Sequence, residues 1–224
     1  MRFGATDFLW WFGVWEFDCD GGHPIWLCKS GCAQYARCMT YPELYILRHG
    51  ETTWNAENRM QGWLNSPLTP KGEADAARQG AILRGRQLDG FAYLCSPSGR
   101  TVQTAGIACA QIAEAVHTDI RLREIGVGDW AGRLRDELPQ GTGNDPYMAQ
   151  YEMAPNGEGI AVLSARCLAF LTDLSGPAVL ITHGITSRVI REIVVGPDAL
   201  SNPSIHGGQG CVYHLKGGVQ NLLT

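Results

Sequence analysis

Short runs of apolar residues alternate along the chain with longer segments in which apolar residues recur at helical spacing. The short runs are enriched in β-branched and aromatic residues, which is typical of buried strands. They occupy residues 44–47, 91–95, 118–122 and 178–182. Two further runs, 211–215 and 219–223, flank the turn residues 216–218 and predict a closing β-hairpin.

Segments with the helical period connect these strands. They cover residues 70–87, 101–115, 158–174 and 185–195. Thr69 and Pro70 open the first of them, as an N-cap and a proline at the first helical position. Because strands that alternate with helices build parallel βαβ units, the chain predicts an α/β fold, a three-layer α/β/α sandwich with a mostly parallel central sheet.

Two segments lack this regular pattern. Residues 53–63, after the first strand, are polar and aromatic and predict a loop at the strand end. Residues 126–157 are rich in Gly, Pro and Asn, and within them only residues 133–138 have the pattern of a short helix. Long segments of this kind are often functional, so we expect most of 126–157 to be a lid-like loop.

Residues 1–38 differ from the rest of the chain, because they hold four of its seven tryptophans and four of its eight cysteines without a strand or helix period. They contain zinc-ligand residue types, in pairs closer together than in a standard zinc finger: Cys19, His23, Cys28 and Cys32. Met39 leads directly into the first strand. Of three interpretations of residues 1–38, we favour a true start of the protein at Met39. An uncharacterised extension ranks second and a zinc module third. We predict one domain over 39–224.

Composition excludes several classes of protein. Hydrophobic residues make up 45% of the 224 residues and charged residues 18%, as in soluble globular proteins. A formal charge of −4 offers no basic face for nucleic acid, and no apolar run has the length of a membrane span. The remaining cysteines are widely spaced in apolar or helical contexts, which indicates free buried thiols in a reducing cytoplasm: Cys95, Cys109, Cys167 and Cys211.

Charged and titratable residues follow the predicted strands. In chain order they are Arg48, His49, Arg100, Glu124 and His183. In a mostly parallel sheet the carboxyl ends of the strands share one edge, where ligands bind. A neutral imidazole can attack phosphorus, a guanidinium can grip phosphate oxygens, and the Gly50 carbonyl can orient His49 through Nδ1. Arg48-His49-Gly50 alone fits a surface pair equally well.

Five ordered motifs together resemble the histidine phosphatase superfamily, also called the phosphoglycerate-mutase-like family. They are Leu47-Arg48-His49-Gly50-Glu51-Thr52 with Asn55 and Gln61-Gly62-Trp63, then Ser96-Pro97 with Arg100-Thr101, then Arg123-Glu124-Ile125-Gly126 with Trp130, then Gly157-Glu158, then Thr182-His183-Gly184. The resemblance covers about 44–223 and implies that 39–224 is a compact histidine phosphatase domain of the phosphatase type.

The resemblance also implies a role for each matched residue. His49 is the nucleophile that forms a phosphohistidine, and Glu124 gives a proton to the leaving alkoxide. The phosphoryl group is held by Arg48, Arg100, His183, Asn55, Gln61, Gly62 and Gly184. The cations already offset the phosphoryl charge, so we expect neither a metal nor a cofactor. The expected partner is a small phosphorylated substrate, and neither nucleic acid nor a membrane is expected. Assembly into a homodimer is left as an alternative to a monomer.

The resemblance leaves three functions to compare. The leading one is a phosphomonoester hydrolase acting on a small phosphorylated metabolite, because residues 131–156 are short and offer only Arg133 and Arg135 as obvious cations. The second is a 2,3-bisphosphoglycerate-dependent phosphoglycerate mutase, and the third is an inactive member that binds phosphorylated ligands. Three positions around the motifs depart from the usual family pattern and bear on the substrate: Asn65, Ala131 and Gly159.

Overall fold

Six strands of the described residues form one central sheet. The computed structural model describes residues 40–196, Ala199 and residues 208–224. The strands are β1 Leu44–Arg48, β2 Ala92–Cys95, β3 His117–Thr118, β4 Ala178–Thr182, β5 Val212–Lys216 and β6 Val219–Leu223. The helices are α1 Thr53–Ala56, α2 Pro70–Arg84, α3 Gly99–Ala108, α4 Pro146–Glu152, α5 Ile160–Asp173 and α6 Gly184–Val195. Single 3-10 turns lie at Ile120–Leu122, Gly128–Trp130 and Arg135–Glu137.

The strand order is β3-β2-β4-β1-β5-β6. The pairs β3-β2, β2-β4 and β4-β1 are parallel, whereas β5 and β6 are antiparallel and form the predicted closing hairpin. In the register of β4, Thr182 pairs with Arg48 of β1 and Ile181 pairs with Cys95 of β2. The carboxyl ends of these three strands therefore coincide, and the residues that follow them are brought together.

Each face of the sheet packs against helices, because successive strand residues point to opposite faces. On one face the core contains Ile46 and Leu180 of the sheet with Leu163, Phe170 and Val189 of α5 and α6. On the other face it contains Leu47 and Ile181 with Leu83 and Ala105 of α2 and α3. Full burial of each Leu, Ile, Val or Phe side chain among them stabilises the fold by roughly 1.5–3 kcal/mol. The predicted three-layer α/β/α sandwich with a mostly parallel sheet is confirmed.

The predicted third strand, 118–122, is wrong in extent. Only His117 and Thr118 pair with β2, and a 3-10 turn replaces the rest. Asp119 explains the change, because its carboxylate accepts a hydrogen bond from the Arg121 amide at 2.8 Å and turns the chain. Ile120 is consequently 65% exposed instead of lying in the core.

Several predicted helix ends are also displaced. The helix predicted over 101–115 ends at Ala108, and the chain continues as turns in which the Ile112 and Ala113 amides both donate to the Cys109 carbonyl. The helix predicted from residue 158 begins at Ile160, because Gly159 has a φ of 75°, outside the helical region. The helix predicted over 70–87 ends at Arg84.

The two predicted loops contain helices that the sequence interpretation missed. The segment after β1 forms α1, where Thr52 and Asn55 make a reciprocal capping box. The lid-like segment contains α4, which begins at Pro146 and is capped by Asp145 through the Met148 amide at 3.1 Å. The short helix predicted at 133–138 is a single 3-10 turn, Arg135–Glu137.

The four cysteines of the described residues are free and buried, as predicted: Cys95, Cys109, Cys167 and Cys211. Burial raises the pKa of the Cys109 thiol and of the Cys167 thiol to about 12, so both stay protonated at neutral pH. None of the helices in the described part of the chain combines the length and the apolar character that a membrane span requires.

The boundary near Met39 is still a prediction, and the residues of the zinc-like pattern, Cys19, His23, Cys28 and Cys32, lie outside the described residues. We expect a chain that starts at Met39 to fold and to keep its turnover, because all five motifs lie within the compact unit Tyr41–Thr224. Thermal unfolding followed by circular dichroism, with p-nitrophenyl phosphate turnover beside the full chain, tests this. Loss of folding, or stoichiometric zinc in the full chain but not in the shortened one, would contradict it.

Candidate active site

A cavity opens at the carboxyl edge of the sheet, where β1, β2 and β4 end together. It is lined by Arg48, His49, Asn55, Arg59, Gln61, Gly62, Arg100, Glu124, Arg135, Tyr147, Tyr151 and Gly184. All but four of these residues were predicted as site residues from the sequence. His183 lies beneath them, fully buried, with its ring centroid 5.3 Å from that of His49. The structure therefore brings the predicted residues of the separate motifs into one place.

His49 follows β1 and is 3% exposed. Its Nδ1 lies 2.8 Å from the Gly50 carbonyl oxygen, which can only accept, so Nδ1 carries the proton and Nε2 keeps its lone pair. Burial, followed by the charges of Arg100 and Arg48, holds the pKa of His49 well below its ordinary value. The ring is therefore neutral at physiological pH, as a nucleophile requires.

Gly50 allows the close approach that holds this segment in place. A Cβ at this position would lie 2.1 Å from the Gly72 carbonyl oxygen, at the beginning of α2. No larger residue fits without moving backbone, because a contact below 3.0 Å with a backbone atom cannot be relieved by a side-chain rotation. The Gly50 amide also donates to the Thr104 hydroxyl of α3 at 3.1 Å, which joins the segment to the opposite wall of the site.

Arg100 lies in the first turn of α3 and is 1% exposed. Its Nε–H donates to His49 Nε2 at 3.2 Å, and its two terminal nitrogens donate to the carbonyls of Gly62 at 2.8 Å and Leu64 at 2.6 Å. Burial lowers the pKa of the guanidinium to about 10, so it is still charged at neutral pH. Asn65, which departs from the family pattern, accepts from the Arg100 amide at 2.9 Å and so fixes the start of this helix.

His183 and Arg48 both keep a buried nitrogen, His183 Nδ1 and Arg48 Nε, that has no hydrogen-bond partner among the described residues. The other nitrogen of His183, Nε2, lies 2.8 Å from the Ser96 hydroxyl. Burial, followed by the charge of Arg100, lowers the pKa of His183 well below its ordinary value. Buried polar groups are normally hydrogen-bonded, so these two nitrogens are available to form hydrogen bonds with a bound ligand.

Glu124 is 9% exposed, and its carboxyl group is held by the first turn of α6. Oε1 accepts from the Thr186 amide at 3.1 Å and the Thr186 hydroxyl at 3.1 Å, and Oε2 accepts from the Ile185 amide at 3.2 Å. Its own neighbour, the Ile125 amide, donates to Oε1 at 3.0 Å. Because α6 begins at Gly184, directly after His183, one element positions both His183 and the carboxyl group.

The smaller predicted site residues also line the cavity, and two of them already have partners. Asn55 Oδ1 accepts from the Thr52 amide at 3.2 Å and from Gln209 Nε2 at 3.0 Å, which leaves the Asn55 amide group as its donor. Gln61 Nε2 donates to the Thr52 hydroxyl at 2.7 Å. Gly62 contributes its carbonyl to Arg100, which is a positioning contact that the sequence did not predict.

Four residues of the cavity were not predicted as site residues: Arg59, Arg135, Tyr147 and Tyr151. The Arg135 guanidinium lies over the rings of Tyr147 and Tyr151, at 5.3 and 5.1 Å from their centroids, and donates to Gln150 Oε1 at 3.1 Å and to the Tyr151 hydroxyl. The available signal was the Tyr-x-x-x-Tyr spacing after Asp145-Pro146, which places both rings on one face of α4.

Comparison with known proteins agrees with this arrangement. The family model described as “Histidine phosphatase superfamily (branch 1)” matches residues 44–221. A curated relative from Salmonella paratyphi C (strain RKS4594), named “Probable phosphoglycerate mutase GpmB”, is 34% identical over 163 residues, which are 69% of this chain and 75% of the relative. The family model thus extends from β1 into β6 and spans all five motifs.

Solved structures share the fold. YhfR from Bacillus stearothermophilus is 32% identical, with a TM-score of 0.64 over 81% of this chain and 95% of that chain. A candidate alpha-ribazole-5'-P phosphatase from Escherichia coli str. K-12 substr. MG1655 is 24% identical, with a TM-score of 0.65 over 81% and 94% of the two chains, and this likeness concerns the fold alone. The chain therefore belongs to the histidine phosphatase superfamily, branch 1, and is an enzyme of that family.

Proposed function

We propose that this enzyme is a phosphomonoester hydrolase that acts through a phosphohistidine on a small phosphorylated metabolite. The observation that carries the proposal is the state of His49, a buried neutral imidazole whose Nδ1 is fixed by Gly50 and whose Nε2 faces the Arg100 guanidinium at 3.2 Å. An anion that reaches Arg100 lies directly beside the attacking nitrogen.

In the first step the phosphoryl oxygens bind the guanidinium groups of Arg48 and Arg100 and the imidazole of His183. His49 Nε2 attacks phosphorus, the bond from phosphorus to the ester oxygen breaks, and Glu124 gives its proton to that oxygen. A phosphoryl transition state spreads charge over its equatorial oxygens, so fixed donors in a buried site stabilise it. A proton donor is needed because an alkoxide leaves poorly.

In the second step water replaces the leaving group. The Glu124 carboxylate accepts a proton from this water, whose oxygen attacks the phosphorus of phosphohistidine. The bond from phosphorus to Nε2 breaks, inorganic phosphate is released and neutral His49 is regenerated. The same carboxyl group thus acts as acid in the first step and as base in the second.

A phosphoglycerate mutase is the second candidate, because the relative from Salmonella bears that name. A mutase must hold a bisphosphorylated ligand away from water, which calls for cations beyond those of the phosphoryl site. The further cations that line this cavity are Arg59 and Arg135. Arg59 is bound to Glu57 at 2.7 Å and to the Gly132 carbonyl at 2.9 Å, and Arg135 is held by Gln150 and Tyr151. These existing contacts favour the hydrolase.

We expect release of inorganic phosphate from a panel of phosphorylated sugars, glycerates and nucleotide-pathway intermediates, without rapid interconversion of 3- and 2-phosphoglycerate. A colorimetric phosphate assay measures the first, and phosphorus NMR of 3-phosphoglycerate with and without 2,3-bisphosphoglycerate measures the second. Fast interconversion that depends on priming by 2,3-bisphosphoglycerate would establish the mutase instead.

A further inference from the structure

Glu158 belongs to one of the sequence motifs, yet the proposed reaction gives it no role. Its side chain is 6% exposed and does not line the cavity. Its Oε2 accepts from the Gly126 amide at 3.0 Å, and its own amide donates to the Gly126 carbonyl at 2.8 Å. Residue 158 is therefore bound to this segment through both its side chain and its backbone.

Arg166 of α5 completes this contact. Its Nε donates to Glu158 Oε1 at 2.5 Å and its Nη2 to Glu158 Oε2 at 2.9 Å, which is the two-point geometry of a strong carboxylate–guanidinium pair. The same guanidinium donates through Nη2 to the Glu124 carbonyl at 3.1 Å and through Nη1 to the Arg121 carbonyl at 2.6 Å. One partly buried ion pair thus binds the backbone on both sides of residue 123.

Trp63 provides a second donor to the same carbonyl, because its indole Nε1–H lies 2.9 Å from the Glu124 oxygen. Its ring passes over Gly126 so closely that a Cβ there would be 3.0 Å from the ring. The Arg123 guanidinium lies over the Trp63 ring, 4.3 Å from the ring centroid. Trp63 is nevertheless 53% exposed. The hydrogen bond from its indole N–H to the Glu124 carbonyl is therefore an important contact that holds this side chain to the fold.

We infer that Glu158, Arg166 and Trp63 are positioning residues for the proton transfer: they fix the backbone of Glu124 so that its carboxyl group reaches the leaving oxygen. This inference rests on the proposed function. Glu124 is held at both ends, at its carbonyl by this set and at its carboxyl group by Thr186 and Ile185 of α6. Neither Glu158 nor Arg166 has a hydrogen bond to Arg48, His49 or Arg100. Trp63 lies between Gly62 and Leu64, whose backbone carbonyls hold Arg100, so a change confined to the Trp63 side chain leaves those carbonyls in place.

The separation gives the inference a specific signature. Loss of the set should displace the acid and leave the nucleophile and the phosphoryl grip in place. Rates should therefore fall in proportion to how much the leaving group needs a proton. Poor leaving groups such as sugar alkoxides should be affected strongly, whereas p-nitrophenolate, which departs without a proton, should be affected little. A purely structural role would lower all rates alike.

The test uses Glu158→Gln and Trp63→Phe in the full chain, with kcat and KM measured for aryl phosphates of graded leaving-group pKa and for one alkyl phosphate. A displacement near 1 Å costs up to about a hundredfold in rate, so we expect a roughly ten- to hundredfold loss on the alkyl ester. With p-nitrophenyl phosphate we expect kcat to stay nearly unchanged. Trp63→Phe keeps an exposed aromatic ring and removes only the indole donor. It therefore still tests the inference if Glu158→Gln lowers the fraction of folded protein.

Asp173→Asn is the matched control, since Asp173 is also on α5 and pairs with Arg121 at 2.6 Å but is 68% exposed. Its rates should show no leaving-group dependence. The inference is overturned if Glu158→Gln and Trp63→Phe lower every rate by one factor, or leave the alkyl ester unaffected. Glu124→Gln on the same panel separates this from failure of the proposed function: if Glu124→Gln is selective and the two variants are not, only the positioning inference fails.

Discussion

We expect the His49→Ala protein to release no measurable phosphate and to form no acid-labile phosphoenzyme. Alanine removes the attacking nitrogen and leaves a phosphate-binding cavity. Removal of the nucleophile in other covalent enzymes costs on the order of a millionfold in kcat. Phosphate release from p-nitrophenyl phosphate and trapping of radiolabelled enzyme under alkaline quench give the two measurements.

Among the described residues, His183 is the histidine near enough to complicate this experiment, with its ring centroid 5.3 Å from that of His49. Its Nε2 is bonded to Ser96, and its Nδ1, which has no partner among the described residues, is the nitrogen that phosphohistidine mapping must test. His117→Ala is the control, because His117 is exposed on the short edge strand β3 and should keep full activity. Substantial turnover by His49→Ala would remove the covalent mechanism, and a phosphohistidine mapped to His183 would reassign it.

Glu124→Gln should damage the hydrolysis of alkyl phosphates far more than that of p-nitrophenyl phosphate. A glutamine cannot release a proton to the leaving oxygen, and general acid catalysis is worth typically ~100- to 10,000-fold. The structure adds a second effect: both carboxyl oxygens accept from N–H groups, so the new amide nitrogen would face Ile185 or Thr186 as a donor against a donor. The alkyl ester should therefore lose at least the full acid contribution.

The measurement is the ratio of kcat/KM for an alkyl ester to that for p-nitrophenyl phosphate, in the variant and in the unchanged protein. Thr186→Val is a useful companion, because it removes one hydroxyl donor to Oε1 while the Thr186 amide bond stays. Thr186→Val should lower the ratio of kcat/KM for the alkyl ester to that for p-nitrophenyl phosphate, but by a smaller factor than Glu124→Gln does. Equal losses on both esters in Glu124→Gln would remove Glu124 as the proton donor.

The part of the site built from strand ends could be predicted from the sequence, for a physical reason. A parallel strand pair has one register once its hydrophobic residues are buried, so residues after β1 and β4 must meet. Arg48 indeed pairs with Thr182, which puts His49 beside His183. Nothing about this meeting depends on details of the loops, and each motif carries its own strand or helix end.

The other wall of the cavity could not be predicted in the same way. Tyr147, Tyr151 and Arg135 come from a segment without a clear apolar period, and its place is set by contacts distant in sequence. Asp145, for example, caps α4 and also pairs with Arg188 of α6. The length of β3 was predicted wrongly for a similar reason. A local hydrogen bond to the Asp119 carboxylate turns the chain, although the apolar residues of 118–122 favour a strand.

In the proposed mechanism His49 Nε2 attacks phosphorus, and in this structure the lone pair of that nitrogen accepts a hydrogen bond from the Arg100 Nε–H at 3.2 Å. Such a nitrogen is masked: a neutral electrophile that enters the cavity meets an imidazole whose electrons are engaged. A phosphoryl dianion is a stronger acceptor than imidazole, so under the proposed mechanism it would compete for the guanidinium and release the nitrogen as phosphorus arrives. Under the proposed mechanism the charge of the substrate would free the nucleophile, and selectivity for phosphate would arise before any contact with the leaving group.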